Sequence, residues 1–172
     1  MHFAAARDLH AVGTSVSLQV WRPSSGLTAP GGEEVELKHT LVATEHLVPR
    51  GQYDCLSPYF VCGGLVFQPL SHEYLQGWNP QDRPNHLQGL FLRGHLTPDR
   101  AQVVILSGIL ADEVNAGYDS GWVGAPVVLS LNGCRISGLS HLVELVRNAL
   151  AQGRHSPFLE FEMQMSGGPF KV

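Results

Sequence analysis

The N-terminal quarter of the chain contains two alternating segments separated by a turn-rich stretch. Polar and apolar residues alternate over residues 14–21 and again over residues 33–42. A period of two is typical of strands with one half-buried face, so these segments predict a β-hairpin. Residues 2–10 predict a short helix that ends at Gly13. A helix and a hairpin bury too little to fold alone, so residues 1–44 are interpreted as the end of a larger domain.

Residues 45–58 lack a regular period and contain prolines and a glycine, which predicts a linker. A second domain is then predicted over residues 59–165. An insertion at residues 71–102 interrupts it and holds a short predicted helix near residues 86–93. Apolar runs and a final alternating segment indicate its strands at residues 60–70, 103–106, 127–131 and 158–165.

The most regular helix of the chain follows Asn132-Gly133, a pair that is the strongest short signal for a hairpin turn. Ser140 is expected to be the N-cap of this helix, and Gly153 is expected to end it. The apolar positions recur at helical spacing: Leu142, Leu145, Val146 and Ala149. The pattern therefore predicts an α+β domain in which one long helix caps a small sheet.

Charge and hydropathy argue against two classes of function. The formal net charge is −4, and the lysines and arginines are scattered, whereas a nucleic-acid groove needs a cationic face. Apolar runs fall short of the roughly 20 residues that cross a bilayer. Residues 1–18 lack the continuous apolar stretch of a secretory signal. We therefore expect no nucleic-acid partner and no membrane span.

Three cysteines and nine histidines are present without metal-ligand spacing. An odd, sparse cysteine count gives no disulfide framework and favours a reducing intracellular compartment, such as the cytosol, the nucleus or an organelle, over secretion. We expect neither a metal nor another cofactor.

One segment, Ser166-Gly167-Gly168-Pro169, partly resembles the nucleophile motif of trypsin-like proteases. Met165 precedes the serine where that motif has an acidic or amide residue, and only six residues follow it. No histidine and aspartate in partnered geometry can be identified upstream from the sequence. We therefore predict no catalytic residue and interpret residues 166–172 as a flexible tail.

The remaining candidate chemistry is peptide binding. A glycine turn can direct consecutive backbone N–H groups at a carboxylate, the strand after it can offer an edge to an added peptide strand, and apolar helix residues can line pockets. The alternative is that the glycines only turn the chain and the helix residues are core. The candidate residues are Cys62, Gly63, Gly64, Leu65, Val66 and Phe67 on the turn and strand, and Leu142, Leu145, Val146 and Ala149 on the helix.

Residues 57–70, with the sequence SPYFVCGGLVFQPL, strongly resemble the opening of the second PDZ domain in the plant and protist branch of the Deg/HtrA serine proteases. Residues 103–118 are similar to its next strand and loop, and residues 127–146 to its Asn-Gly hairpin and groove helix. The first 42 residues resemble the end of the preceding PDZ domain. The resemblance implies a PDZ-like, partly open β-barrel or sandwich capped by helices, preceded by a partial PDZ domain.

The same resemblance implies a function without catalysis. In the family an upstream trypsin-like domain carries proteolysis, and none of its catalytic residues maps to this chain. The expected role is recognition of peptides or substrates, or oligomer assembly, in proteolysis and protein quality control. The expected partners are C-terminal or extended peptide segments of substrates, or other Deg/HtrA subunits, and the insertion at 71–102 could cover the groove. The alternative is a stand-alone PDZ scaffold or adaptor without a protease partner domain.

Overall fold

A computed structural model describes residues 9–23, 31–43, 45–52, 54–110, 113, 124–151 and 158–172. The chain divides into two compact units, Met1–Thr44 and Glu45–Val172. Most of the helix predicted at residues 2–10, the stop at Gly153 and most of residues 109–118 lie outside the described residues.

The first unit contains an antiparallel ribbon of two strands, β1 (Ser15–Pro23) and β2 (Gly32–Thr40). The predicted hairpin is thus confirmed. Leu18 lies opposite Leu37 in the ladder, and Val20 lies opposite Val35, so one face of the ribbon is apolar. None of the described residues of this unit is buried. Whether the unit is the end of a preceding PDZ domain stays a prediction.

The second unit is built on an antiparallel sheet with the order β3-β4-β5-β6-β8-β9, and β7 pairs with β6 beside this path. The strands are β3 (Phe60–Cys62), β4 (Leu65–Pro69), β5 (Val104–Ile109), β6 (Val127–Leu131), β7 (Cys134–Arg135), β8 (Phe161–Met165) and β9 (Gly168–Lys171). The helices are α1 (His72–Gln76), α2 (Asn85–Arg93) and α3 (Leu139–Ala151). An open antiparallel sheet with helices confirms the predicted α+β, PDZ-like class.

The start of α3 differs from the prediction, because Ser140 lies inside the helix. The backbone N–H of Leu139 instead donates to the side-chain oxygen of Gln102 at 3.1 Å. The Nδ1 atom of His141 accepts the Ser137 backbone N–H at 3.2 Å. A free helix N-terminus leaves four N–H groups without partners, and Gln102 of the insertion accepts one of them in place of the expected cap Ser140.

Two hydrophobic clusters lie on opposite faces of this sheet. The α3 core joins α3 to one face through Leu65, Phe67, Val104, Leu106, Val128, Leu131, Ile136, Leu139, Leu142, Val146, Phe161 and Met163. The insertion core joins α1 and α2 to the other face through Leu47, Val48, Leu70, Leu75, Leu87, Val103, Ile105, Ala125 and Val127. Successive β5 residues alternate between the two clusters, as the pleat of a strand requires. The insertion helices therefore pack on the face opposite α3 and do not cover the α3 side.

Two boundaries predicted from the sequence are corrected. Leu47 and Val48 fall in the predicted linker, but both are buried in the insertion core, and the Leu47 N–H donates to the Gly94 carbonyl at 3.2 Å. The expected flexible tail contains β9, which pairs with β8. Phe170 and Val172 pack against the α3 core, because alternate residues of a strand point to one face. The alternation was too short to be recognised in the sequence.

Candidate functional site

The turn predicted to bind a carboxylate is a tight β-hairpin. Gly63 and Gly64 have φ angles of 55° and 76°, and the ladder closes at the pair Cys62 and Leu65. Two consecutive positive φ angles match the type I′ turn, whose twist suits the flanking strands and which glycine adopts without strain. The Gly64 carbonyl also accepts the Leu110 N–H at 2.8 Å, which ties the turn to the end of β5.

The expectation of a free edge on the strand after the turn is wrong. Phe60, Val61 and Cys62 of β3 pair with Phe67, Val66 and Leu65 of β4 on one side, and β5 pairs with β4 on the other. The Ser107 hydroxyl donates to the Val66 carbonyl from the β5 side at 3.2 Å. A strand with partners on both sides has no backbone row left for a peptide.

The side chains of β3 add to the α3 core. Phe60 and Cys62 are half-buried and pack against that cluster, as does Leu145 of α3. The Phe60 ring stacks on Phe67 with centroids 6.4 Å apart, and Phe67 stacks on Phe161 at 5.2 Å. Burial raises the pKa of the Cys62 thiol, so the thiol remains protonated at neutral pH. Strand β3 thus occupies the edge of β4 at which an added peptide strand would pair, and its side chains extend the α3 core.

The predicted site residues of α3 separate into two groups. Leu142 and Val146 are buried in the α3 core, together with Leu65 and Phe67 of β4. Leu145 and Ala149 are only half-buried. The packing gives the first group a structural role and leaves the second group accessible to a ligand. Peptide binding by any of these residues stays a prediction.

The structure also brings together two residues that are 80 positions apart. His86 Nδ1 lies 3.1 Å from Ser166 Oγ, and His86 Nε2 lies 3.4 Å from the Ala125 carbonyl. Both side chains line a cleft of about 540 Å³, and burial lowers the pKa of the His86 imidazole. A carbonyl acceptor at Nε2 leaves Nδ1 to accept the Ser166 proton. Ser166 therefore has a histidine as its hydrogen-bond partner, and the local sequence could not reveal this contact.

In the described part of the chain, the ring nitrogens of His86 contact Ser166 Oγ and the Ala125 carbonyl, and no carboxylate. The Ala125 carbonyl occupies the position at the second ring nitrogen where a triad has a carboxylate. Asp82 lines the same cleft, but its carboxylate accepts a hydrogen bond from Asn79 Nδ2 at 3.2 Å. Among the described residues, no group of three or more His, Cys, Asp or Glu side chains could hold a metal ion. Within the described part of the chain, no helix is long and apolar enough to span a membrane.

Gly63-Gly64 is predicted from the sequence to be a carboxylate-binding turn, whereas in the structure it is the two-residue turn of the β3–β4 hairpin. Gly-Gly between two apolar triplets is typical of a two-residue hairpin as well as of a carboxylate loop. Cys62 is among the predicted site residues, but Phe60 is not, because its strand is expected to precede the site and not to lie along β4.

Comparison with known proteins agrees with this geometry. The family model described as "PDZ domain" matches residues 48–167. The chain is 33% identical over 123 residues to putative protease Do-like 3, mitochondrial, of Arabidopsis thaliana, covering 70% of this chain and 20% of that protein. Protease Do-like 2, chloroplastic, of the same plant is 33% identical over 123 residues, covering 67% of this chain and 19% of that protein. The serine protease DegP homolog of Plasmodium falciparum is 27% identical over 107 residues, covering 62% and 12%.

The matched region begins at Val48, the residue whose burial corrected the predicted linker, and it includes the hairpin, the insertion and α3. The chain spans about a fifth or less of the length of these three relatives. The relatives are proteases by name, and the matched part of this chain is a sheet with a capping helix. The chain belongs to the PDZ domain family, and it is a PDZ region of the Deg/HtrA, or protease Do-like, type.

Proposed function

We propose that residues 45–172 form a non-catalytic module of a Deg/HtrA-like serine endopeptidase, whose peptide groove is occupied at rest by its own strand β3. In this state the module serves oligomer assembly, and peptide recognition becomes available when β3 leaves β4. The observation that carries the proposal is the pairing of β4 on both sides, by β3 and by β5.

A peptide that binds to β4 would have to displace β3. It would replace three residue pairs of the β3–β4 ladder and the half-buried ring of Phe60. Full burial of a large apolar side chain is worth about 1.5–3 kcal/mol, and a half-buried ring about half of that. Each 1.4 kcal/mol changes a dissociation constant about tenfold. Because apparent affinity scales with the fraction of molecules in the competent state, β3 would weaken peptide binding by roughly tenfold.

The relatives support the cellular part of the proposal. Three of the names given above contain the word protease, so we assign this module to proteolysis and protein quality control. Two of them also contain the words mitochondrial or chloroplastic, and we propose an organelle as the location. Its partners would be other Deg/HtrA subunits and, after β3 leaves, C-terminal or extended peptide segments.

Peptide titration tests this resting state. The Phe60→Ser variant removes the ring that holds β3, and Tyr59→Ser is the matched control because Tyr59 is 71% exposed. Fluorescence polarisation with a library of peptides that have apolar C-terminal residues should show binding to Phe60→Ser that is about tenfold tighter than to the wild type. Tyr59→Ser should match the wild type. Amidation of the peptide should weaken binding to Phe60→Ser at least about tenfold, since a hydrogen bond to a charged carboxylate is worth about 1.5–3 kcal/mol.

Equal affinities of the wild type, Phe60→Ser and Tyr59→Ser would contradict occupation of the groove by β3. Light scattering on the wild-type chain tests the assembly role in parallel. A mass that rises with protein concentration supports assembly. A monomer at all concentrations, together with wild-type peptide binding as tight as that of Phe60→Ser, would assign the module to open peptide capture.

A further inference from the structure

The cleft of about 540 Å³ that contains His86 and Ser166 lies where the insertion meets the turn between β8 and β9. Its apolar walls come from both sides, namely from Trp78 and Pro84 of the insertion and from Met165 and Phe170 of the two strands. Ser166 is exposed, so its hydroxyl is open to a molecule in the cleft, and His86 is half-buried. The cleft thus combines apolar walls with an accessible serine–histidine pair.

Secondary structure holds both members of this pair. His86 is the second residue of α2, and the next residue, Leu87, is fully buried in the insertion core, which anchors this turn of the helix. Ser166 lies in the two-residue turn between Met165 and Gly168, which pair in the β8–β9 ladder. The 3.1 Å contact between His86 Nδ1 and Ser166 Oγ therefore joins two ordered elements of the fold.

The backbone at Ala125 orients the imidazole ring. Ala125 is buried and has a φ of 44°, a left-handed conformation that costs free energy for a residue with a Cβ atom. In this conformation its carbonyl oxygen lies 3.4 Å from His86 Nε2. A carbonyl can only accept a hydrogen bond, so it favours the tautomer with the proton on Nε2 and leaves Nδ1 as the proton acceptor.

A second serine–histidine contact in the chain shows what distinguishes the first. Ser137 Oγ lies 3.2 Å from His141 Nδ1, but this nitrogen also accepts the Ser137 backbone N–H at 3.2 Å. The lone pair of His141 Nδ1 is therefore engaged, whereas the described part of the chain gives His86 Nδ1 the Ser166 hydroxyl as its donor. Burial also lowers the pKa of the His86 imidazole, so the ring is neutral at neutral pH. His86 is thus free to take the hydroxyl proton of Ser166.

We propose that Ser166 is a nucleophile activated by His86, and that this cleft hydrolyses uncharged aryl esters through an acyl-serine intermediate. In the first step the Ser166 oxygen forms a bond to the ester carbonyl carbon, and its proton moves to His86 Nδ1. The bond from that carbon to the phenolic oxygen then breaks, and the phenol leaves with the proton from His86. A water molecule, deprotonated by the same nitrogen, converts the acyl-serine to the carboxylic acid and restores the hydroxyl.

The surroundings of the pair define this substrate class. After proton transfer the imidazolium faces the carbonyl dipole of Ala125, which stabilises it less than the carboxylate of a protease triad does. A phenol, with a pKa of about 10, leaves easily, whereas the amine of a peptide bond must first be protonated. Asp82 is the single charged side chain among the described lining residues, and it disfavours anionic esters. The prediction of no catalytic residue is thereby limited to proteolysis, in which the proposed module takes no part.

Two probes of the full chain test the proposal: hydrolysis of 4-nitrophenyl acetate, and covalent labelling by a fluorophosphonate read by intact-mass spectrometry. The wild type should hydrolyse the ester and carry one label on Ser166. Ser166→Ala and His86→Asn should each lower the hydrolysis rate about a hundredfold, because a positioned general base contributes about 10²–10⁴-fold. The matched control is Ser137→Ala, which removes the other serine in contact with a histidine and should match the wild type in rate and labelling.

Ser166 is exposed, so Ser166→Ala should keep the wild-type circular dichroism spectrum and decide the outcome. Equal hydrolysis rates of the wild type and Ser166→Ala, or a label that persists in Ser166→Ala, would overturn the role of Ser166 as nucleophile. A rate that falls in Ser166→Ala but not in His86→Asn would overturn activation by His86. Cleavage of casein by the wild type that Ser166→Ala abolishes would contradict the restriction to esters.

Discussion

The two units of the chain are both built on antiparallel strands, but they differ in what covers those strands. Apolar and polar residues alternate in the ribbon β1–β2, whereas β5 and β6 in the sheet of Glu45–Val172 begin with consecutive apolar residues that face both sides. In the ribbon, no described residue is buried, whereas the sheet has a hydrophobic core on each face, one under α3 and one under α1 and α2. Alternation thus specifies a strand and its faces, but a fold is stabilised only when another element covers the apolar face.

A matched pair of leucine substitutions should give the largest contrast between the two units. Leu142 in α3 is 0% exposed, and Leu37 in β2 is 42% exposed. Leu142→Ala should lower the free energy of unfolding by about 2.7–5 kcal/mol, because it removes buried methyl groups and leaves a cavity. Leu37→Ala should cost less than about 1 kcal/mol. Urea denaturation followed by tryptophan fluorescence measures both, and equal costs would mean that the ribbon face is covered.

The next largest expected effect is a difference between the two units in their susceptibility to limited proteolysis. With few apolar contacts, the first unit should open locally at low cost and be cut first. Because Leu47 and Val48 are buried and β9 is paired, the resistant fragment should begin before Leu47 and retain Lys171. Mass spectrometry of the fragments checks this. An early cut within α3, or a resistant fragment that lacks β9, would contradict the assignment of cores.

A smaller expected effect is the pH dependence that His86 gives to the stability of the second unit. Burial lowers the pKa of His86 in the folded protein below that of the unfolded chain. The unfolded state therefore binds more protons in the window below about pH 6.5, and stability should fall as the pH falls through it. The loss should stay below about 1 kcal/mol, since His86 is partly open to solvent. His86→Asn should flatten this part of the stability profile, and an unchanged profile would assign the pH dependence to other groups.

The local patterns of the sequence predicted much of the fold. The alternation in β1 and β2, the Asn132-Gly133 hairpin between β6 and β7, and the helical spacing in α3 are all decided by residues close in the chain. α2 was predicted near its observed bounds, Asn85–Arg93. The five-residue helix α1 was missed, because it contains too few turns to establish a period, although Ser71 caps it with a 3.2 Å hydrogen bond to the Tyr74 N–H.

The candidate site was less predictable, because it depends on which strand lies beside which. The sequence correctly indicated an apolar strand on each side of Gly63-Gly64, but it could not show that β3 folds back along β4. It also could not separate Leu142, which is core, from Leu145, which is half-buried, since both share one helical stripe. The contact of His86 with Ser166 depends on the path of the insertion, and no local signal encodes it.

Amide hydrogen exchange of β4, measured by NMR on the full chain, tests the central claim most directly. The Val66 carbonyl faces β5, and neighbouring residues of a strand point to opposite sides, so the Phe67 amide faces β3. If β3 occupies the groove, Phe67 should be protected to a degree similar to Val66, about a hundredfold or more over an open amide. Fast exchange of Phe67 beside a protected Val66 would show that the edge of β4 is free, and it would contradict a groove closed by β3.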